Sequence, residues 1–152
     1  MKRFHFPLER VRRWREGQAA LEEMKLEQLQ GNLAALRLEK ENIEVERSRS
    51  QKELLDQPFV QAIELESLDA YRLHAQIKIH NIENRELEVA AQVEQQRQRL
   101  VEKRRDAELL ERLKRKSWDE WQAASDREQE SLASELHLAR LTRHRSRGSL
   151  KT

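Results

Sequence analysis

The sequence contains no cysteine, only three glycines and two prolines, and few aromatic residues. Without cysteine there is no disulfide framework and no thiolate metal site, which favours a reducing compartment such as the cytoplasm. Residues 1 to 7 lead into charged residues, so we expect no secretory signal. No window approaches the roughly 18 consecutive apolar residues of a membrane span, and hydrophobic residues make up only 37% of the chain. We therefore expect a soluble, intracellular, elongated protein with a thin core.

The abundant residues are those of long helices. Leucine, alanine, glutamate, lysine and arginine dominate the composition, as they do in coiled coils. From Leu65 to Ala124, alternating steps of three and four residues fall mostly on apolar side chains, and a mean step of about 3.5 keeps one seam facing a partner helix. The positions of this seam are Leu65, Leu68, Arg72, Ala75, Ile79, Ile82, Glu86, Val89, Val93, Gln96, Leu100, Lys103, Ala107, Leu110, Lys114, Ser117, Trp121 and Ala124.

A similar seam earlier in the chain supplies the partner. Its positions are Ala19, Glu22, Leu26, Leu29, Leu33, Leu36, Lys40, Ile43, Arg47, Ser50 and Leu54. Between the two seams, Asp56-Gln57-Pro58-Phe59 predicts a turn, because Pro58 disfavours helical geometry in the residue before it and suits the first position of a new helix. Helices joined by so short a connection lie antiparallel. The predicted fold is all-α, a long antiparallel two-helix coiled coil (an α-hairpin) with helix 2 longer than helix 1.

The predicted boundaries follow from these seams. Helix 1 occupies residues 1 to 57, the turn and helix 2 occupy residues 58 to 142, and residues 143 to 152 form a basic frayed tail. Pairing Leu54 with Leu65 sets the register of the hairpin. We therefore expect the N-terminal residues to lie beside the part of helix 2 around residue 115.

Two features of helix 1 depart from a regular heptad pattern. The apolar residues Leu8 and Val11 precede the seam, but Val11 to Ala19 is one residue longer than a heptad, so we expect a local change in winding near Gly17. Gly31 lies inside the leucine row, which passes through it in phase. We expect one continuous helix there, with either a weak point or a close approach at Gly31.

Basic residues are concentrated at both ends of the chain. Residues 1 to 15 contain six basic residues and one acid, and residues 140 to 152 contain five basic residues and no acid. The antiparallel fold brings these ends together beside a set of aromatic residues, Phe4, Phe6, Trp14, Trp118 and Trp121. This basic and aromatic end is interpreted as solubilising charge, as a surface for an acidic protein, or as a nucleic-acid contact. We favour the first two, because the arginines near the N-terminus alternate with glutamates along a helix.

The sequence contains no recognisable catalytic or metal-binding motif. The three glycines are too far apart to cradle a phosphate, and the five histidines never occur at i, i+4 spacing. An elongated hairpin also lacks a cleft that would desolvate a pair of carboxylates for acid–base chemistry. We therefore expect no enzyme, no cofactor, no metal ion and no small-molecule substrate.

Several apolar residues lie off the two seams or at their ends. Trp121 continues the seam and is expected to pack against Phe4 and Phe6, whereas Trp118 lies off the seam and is a candidate anchor for a partner. Helix 1 carries a second apolar row, formed by Leu21, Met24, Ala35, Leu38 and Val45. This row is either a set of scattered surface residues or a docking strip for another protein or another copy.

The ends of the chain resemble a known family. The opening Phe4-His5-Phe6-Pro7-Leu8-Glu9-Arg10-Val11 is similar to the Phe-x-Phe-x-Leu-x-x-Val start of the FliJ family of flagellar export proteins. The family's second helix is resembled by the runs Val101-Glu102-Lys103-Arg104-Arg105, Glu111-Arg112-Leu113-Lys114-Arg115-Lys116 and Arg127-Glu128-Gln129-Glu130. The chain length is similar as well.

The resemblance implies a non-enzymatic component of the flagellar type III protein export apparatus. Such a protein couples the hexameric export ATPase ring to the cytoplasmic domain of the export gate and escorts export chaperones. It would be cytoplasmic, peripherally associated with the inner-membrane export apparatus, and in contact with the membrane only through its partners. The expected ring-binding residues are Phe4, Phe6, Arg10, Arg12, Arg13, Trp14, Trp118 and Trp121, and the expected gate-binding residues are Tyr71, Ala75, Lys78 and Ile82.

Two other functions remain open at this stage. One is the equivalent stalk protein of a virulence injectisome. The other is a generic coiled-coil scaffold or a rod that binds nucleic acid, although the sequence favours protein partners over nucleic acid.

Overall fold

The computed structural model describes residues 3 to 148, without the side chains of residues 144 and 146 to 148. The described chain has two helices, α1 over Glu9–Leu55 and α2 over Ala62–Gly148. At 87 residues α2 is longer than α1, which has 47. The helices pack against each other as a helical hairpin, so the predicted all-α fold is confirmed. Over the described residues, neither helix contains a stretch apolar and long enough to cross a lipid bilayer.

The hairpin divides into two compact units. The terminal unit comprises residues 3 to 16 and 105 to 148 of the described chain, and the loop unit comprises residues 17 to 104. Within each unit, a stretch of α1 lies against a stretch of α2 that runs in the opposite direction.

Helix α1 begins later than the predicted helix 1. Pro7 and Leu8 form a turn, the Glu9 N–H donates to the Phe6 carbonyl at 3.2 Å, and the Arg12 N–H donates to the Leu8 carbonyl at 2.9 Å. Because Pro7 disfavours helical geometry in Phe6, the first described residues form a non-helical segment instead of a helical turn.

Helix α2 also begins later than predicted, at Ala62 rather than at Pro58. Gln61 precedes the helix, and its N–H donates to the Glu64 carboxylate at 2.9 Å while its carbonyl accepts from the Glu64 N–H at 3.1 Å. The first of these is one of the two hydrogen bonds of a capping box, in which the side chain at the third helical position accepts from the N–H of the residue before the helix. It satisfies an N–H group at the helix start. The local cap therefore sets the start of α2, and Pro58 lies within the connecting loop.

The C-terminal end of α2 lies beyond the predicted boundary at residue 142. The helix continues to Gly148, because no proline or glycine interrupts residues 126 to 147. The last part of the predicted frayed tail, residues 149 to 152, lies outside the described residues.

The core of the loop unit is the predicted seam. All its buried residues occupy seam positions of α2, with exposures of 3 to 5%: Ala75, Ile82, Val93, Gln96 and Leu100. On α1, every predicted seam position from Ala19 to Leu54 is half-buried. The heptad phase read from the sequence is confirmed through this unit, except that Leu65 remains 44% exposed. At that end the seam is covered only from Leu68 onward.

Several polar residues on the loop-unit seam have partners on the facing helix. The Gln96 amide donates to the Glu22 carbonyl oxygen at 3.0 Å and also to the Glu22 carboxylate. Hydrogen bonds from Lys25 and then Gln96 lower the pKa of Glu22. Lys40 forms an ion pair with Glu83 at 2.9 Å, and it lowers the pKa of that carboxyl. These cross-helix pairs compensate for the polar positions in the seam.

The glycines inside α1 do not mark close approaches. A Cβ atom built at Gly17 or at Gly31 would meet no neighbouring atom within 4 Å, and neither glycine has a positive φ. The expected close approach at Gly31 is therefore wrong, because α2 does not lie on that side of the helix.

Replacing Gly31 with alanine should stabilise the protein. Alanine lowers the backbone entropy of the unfolded chain and favours the helix by about 1 kcal/mol over glycine, and the open space around Gly31 removes any steric penalty. Urea unfolding followed by circular dichroism should show a higher midpoint. The reverse change at an exposed position of the same helix, Ala34→Gly, should lower it by a similar amount. A Gly31→Ala variant with unchanged or lower stability would contradict the geometry.

Candidate protein-binding site in the terminal unit

Three aromatic rings meet in the terminal unit. The Phe4 ring centroid lies 4.9 Å from that of Trp118 in an edge-to-face arrangement and 5.9 Å from that of Trp121. The two tryptophan rings lie 5.1 Å apart. Because Trp118 and Trp121 are three residues apart, they share one side of α2, and the segment before α1 brings Phe4 to them. We call Phe4, Trp118 and Trp121 the aromatic cluster.

The aromatic cluster has a buried side and an exposed side. Trp121 is half-buried and contacts Phe4, as the sequence predicts, while Trp118 is 43% exposed. Phe6 and Ser125 are the buried residues of the described terminal unit. The seam position predicted at Ala124 is wrong, because the covered side of α2 advances by four residues from Trp121 to Ser125.

Arg12 is the centre of an ion-pair network beside the aromatic cluster. Its guanidinium pairs with Glu9 at 2.8 Å, with Glu16 at 2.6 Å, and with Glu111 on α2 at 3.1 Å. Its side chain is only 14% exposed, and the Glu9 carboxylate raises the pKa of Arg12. A partner protein could therefore reach Arg12 only by displacing several carboxylates.

Two further ion pairs join α1 to α2 in the terminal unit. The Lys114 ammonium lies 3.1 Å from the Glu9 carboxylate, and the Arg15 guanidinium lies 2.9 Å from Asp106. Hydrogen bonds from Arg12 and then Lys114 lower the pKa of Glu9 from 4.5 to about 2. The start of α1 is thus held against α2 by charged groups rather than by an apolar seam.

The lowered pKa of Glu9 predicts a defined loss of stability in acid. Because the pKa is lower in the folded state than in the unfolded state, the ionised Glu9 stabilises the protein at pH values above 4.5. This stabilisation should disappear as the pH falls through about 2. In thermal melts, Glu9→Gln should have a lower Tm than the wild type at pH 6, and the difference should vanish near pH 2.

A matched control separates this network from ordinary surface charge. Among the described residues, Glu108 pairs only with Arg112 of its own helix, at 2.6 Å, and it is 60% exposed. Glu108→Gln should therefore change the Tm little at either pH, since exposed pairs contribute about 0–1 kcal/mol. Equal effects of Glu108→Gln and Glu9→Gln would contradict the special role of Glu9.

The apolar residues at the start of α1 face away from α2. Leu8, Val11 and Trp14 are 41%, 43% and 56% exposed, respectively, whereas the charged Glu9, Arg12 and Arg15 occupy the covered side. Leu8 and Val11, which precede the predicted seam, therefore do not form part of the covered side of α1. The heptad pattern could have predicted which side of the start of α1 is covered, because steps of four and then three residues back from Ala19 lead to Arg15 and Arg12. Because Arg12, Arg15 and Ala19 follow one another at steps of three and four on the covered side, the heptad positions show no slip near Gly17.

Exposed cations occur on both helices of the terminal unit. Arg10, Arg115 and Lys116 are exposed and make no ion pair within the described part of the chain. Arg13 is 75% exposed, with a single 3.3 Å contact to Glu9, and the Arg15 guanidinium lies 5.1 Å from the Trp14 ring centroid. Exposed rings combined with unpaired cations are suited to an acidic protein surface that also offers apolar contacts.

The expected ring-binding residues thus divide into three groups. Phe4, Trp118 and Trp121 form the aromatic cluster, and Arg10, Arg13 and Trp14 are exposed on α1, whereas Phe6 and Arg12 are largely enclosed within the terminal unit. Leu8 and Val11 were not among the expected ring-binding residues, although both are exposed at the start of α1.

The expected gate-binding residues lie on α2 in the loop unit and do not share one exposed side. Ala75 and Ile82 are 3% and 5% exposed, so they belong to the core between the helices. Tyr71 is half-buried and Lys78 is exposed. Without opening the hairpin, a partner could contact only Tyr71 and Lys78 of these four residues.

The second apolar row of α1 is exposed throughout, including Met24 at 66% and Val45 at 60%. Two of its members border separate depressions of the loop unit. Leu38 lines one of about 460 Å³ together with Leu33 and Val93. Ala35 lines another of about 330 Å³ with Val89. Leu38 and Ala35 therefore lie at different depressions.

Two observations complete the description of the candidate site. Within residues 3 to 148, no group of three or more histidine, aspartate or glutamate side chains is arranged to hold a metal ion. Comparison of the chain with protein-family models, with curated proteins and with solved structures finds no match.

Proposed function

We propose that this protein is a non-enzymatic component of a flagellar type III export apparatus that couples the export ATPase ring to the export gate and escorts export chaperones. The proposal combines the resemblance of residues 4 to 11 to the start of the FliJ family with the contents of the terminal unit. The observation that carries it is the aromatic cluster, in which Phe4 from the N-terminal segment meets Trp118 and Trp121 of α2.

The terminal unit has properties that suit docking onto another protein. Aromatic residues and arginine dominate the energetic centres of protein interfaces. Trp14 and Trp118 are exposed, and each lies one helical turn from an arginine, Arg10 or Arg115, that makes no ion pair among the described residues. The ion pairs around Arg12 hold the start of α1 in place before any partner arrives, which lowers the entropic cost of binding. The ring would be contacted by the exposed side chains, and Arg12 would act by positioning them.

Association with the export ATPase tests this function directly. The purified protein should co-elute with the hexameric export ATPase of the same apparatus and raise its rate of ATP hydrolysis. Absence of both association and stimulation would overturn the coupling role. Binding to DNA or RNA with a steep dependence on salt, together with indifference to the ATPase, would instead favour the nucleic-acid alternative.

Trp118→Ala should weaken binding to the ATPase at least tenfold while leaving helicity nearly unchanged. The ring is 43% exposed, and interface tryptophans often contribute about 2 kcal/mol or more to binding. Leu113→Ala provides a control on the same helix with a similar exposure of 48%. A loss of helicity in Trp118→Ala would show that the residue is structural, and equal binding by both variants would remove it from the interface.

A further inference from the structure

A second heptad seam runs along the exposed side of α2 in the loop unit. Between Ala70 and Ala91 its seven positions carry no charge and are all exposed, in a chain of which 38% is charged. Leu73, Ile77 and Leu87 on this side are 60%, 53% and 71% exposed. A 3.5-residue repeat keeps one side of a helix facing a partner helix, and α1 packs against the other side. We call these positions the outer seam: Ile63, Glu66, Ala70, Leu73, Ile77, His80, Asn84, Leu87, Ala91, Glu94, Gln98 and Val101.

The order of residues along the outer seam matches its own reverse. When Ile77 is placed opposite Leu87 of a reversed second copy, the large apolar residues of the seam all meet apolar residues, and no acid in the seam faces another acid. Shifting the pairing by one heptad in either direction places Ile77 opposite His80 or Glu94 instead. One register is therefore preferred. Its layers, each of which occurs twice, are Ile63 with Val101, Glu66 with Gln98, Ala70 with Glu94, Leu73 with Ala91, Ile77 with Leu87, and His80 with Asn84.

The charged residues beside the outer seam are complementary in the same register. Asp69 of one copy lies beside Arg97 of the other, and His74 lies beside Glu88, again twice each. Within one chain Asp69 makes an ion pair of 3.9 Å with its own helix, and Arg97 makes one of 3.8 Å with Glu94. Both contacts are long, and the two side chains are 78% and 57% exposed. They therefore remain available to a second copy, in which Arg97 lies between two carboxylates.

The direction of the pairing also follows from the acids. In the antiparallel register the two Glu83 side chains face each other beside the seam, but each carboxylate already forms an ion pair with Lys40 of its own chain at 2.9 Å. A parallel pair in register would instead place Glu66 against Glu66 and Glu94 against Glu94 within the seam itself. Like charges at facing positions oppose such a pairing, so the antiparallel direction is favoured.

We propose that the outer seam of α2 is a dimerisation surface, on which residues 63 to 101 pack antiparallel against the same residues of a second copy of this chain. The His80 and Asn84 layers form the centre, where an imidazole meets a side-chain amide. The Ile77 and Leu87 layers enclose this polar centre on both sides. Burial of these exposed side chains drives the association, and the polar layers and flanking charges set its register.

The pairing goes beyond the proposed function and is measured without any export component. Sedimentation equilibrium from about 1 to about 500 μM, a range that covers micromolar association, should show the mass rising from one chain toward two. At the lowest concentration, which suits unfolding measurements by circular dichroism, the protein should be a single chain. The association should weaken as the salt concentration increases, because exposed charge pairs are screened. A single-chain mass at every concentration would overturn the proposal and leave the ATPase experiment unaffected.

Paired variants identify the surface responsible. The double variant Leu73→Asp/Leu87→Asp should remain monomeric at all these concentrations. The control Leu21→Asp/Leu38→Asp makes the same changes in the second apolar row of α1, at exposures of 52% and 58%, and should still dimerise. Circular dichroism should show equal helicity for the two double variants. Dimerisation of Leu73→Asp/Leu87→Asp, or equal loss in the control, would overturn the assignment.

The direction and register can be read by disulfide formation, because the chain has no cysteine of its own. Leu73→Cys and Ala91→Cys chains, whose substituted positions share one layer, should form a mixed disulfide when combined under mild oxidation. Each variant alone should cross-link at least tenfold more slowly than the mixture, because its two copies of the cysteine lie about 27 Å apart along the helix axis. Fast self-linkage of Leu73→Cys would indicate a parallel dimer and would overturn the antiparallel arrangement.

Discussion

Replacing Ile82 with alanine should lower the free energy of unfolding by about 2–4 kcal/mol, the range for removing a large aliphatic side chain from a core. Ile82 is 5% exposed and occupies the seam of the loop unit. The truncation removes apolar contacts between α1 and α2 and leaves a gap that a two-helix core has few neighbouring side chains to fill. Urea unfolding at pH 7, monitored by circular dichroism, measures the effect.

The chain provides its own control for this experiment. Ile77 lies on the same helix but is 53% exposed, so Ile77→Ala removes the same atoms from a position that contributes little packing. Its effect should stay within about 0.5 kcal/mol, as for most surface substitutions. Similar losses for the two variants would mean that α2 does not present Ile82 to α1.

The Ile82 result also bears on the proposed contact with the export gate. Because Ile82 and Ala75 are buried between the helices, a binding defect in an Ile82 variant would follow from a destabilised hairpin. Substitutions at Tyr71 and Lys78, whose side chains reach the surface, test gate binding without that complication.

Gln96→Ala should destabilise the protein by about 1–3 kcal/mol, the cost of leaving a polar partner unsatisfied in a partly buried site. Gln96 is 5% exposed, and its amide donates to both the carbonyl and the carboxylate of Glu22 across the helix interface. Removing the amide leaves the Glu22 side chain, itself 12% exposed, with Lys25 as its remaining ion-pair partner. Thermal unfolding at neutral pH should show the loss.

The neighbouring glutamine distinguishes this effect from helix propensity. Gln95 is exposed and lies off the seam, and glutamine and alanine differ by only a few tenths of a kcal/mol in a helix. Gln95→Ala should therefore be neutral or slightly stabilising. If Gln96→Ala were also neutral, the hydrogen bonds to Glu22 would contribute nothing net, and the polar position would serve only to specify register.

Much of the hairpin could be predicted because coiled-coil packing is periodic and local. The positions from Ala19 to Leu54 are the covered side of α1 in the loop unit, and Ala75, Ile82 and Leu100 are buried where the matching seam of α2 places them. The limits of the helices were predicted less well. Their ends depend on single capping contacts, such as that between Gln61 and Glu64, which hydrophobic periodicity does not record.

The candidate site was predicted in part. Its aromatic residues could be named because few aromatic residues occur in the chain, and the antiparallel fold brings Phe4 near Trp118 and Trp121. Arg12 was expected to bind a partner but is enclosed by Glu9, Glu16 and Glu111. An arginine pattern in a sequence does not reveal which carboxylates will surround it.

The sequence by itself determined that this protein is a two-helix hairpin, because a 3.5-residue repeat on both sides of one short loop has only one compact solution. Only the tertiary structure decided that Leu8, Val11 and Trp14 face outward while the charged Glu9, Arg12 and Arg15 face α2. Hydrophobicity alone assigns the opposite orientation. Ion pairs between α1 and α2 hold the charged side of α1 against α2 instead. The free energy of an ion pair depends on the distance to a partner, and here the partners are far away in the sequence.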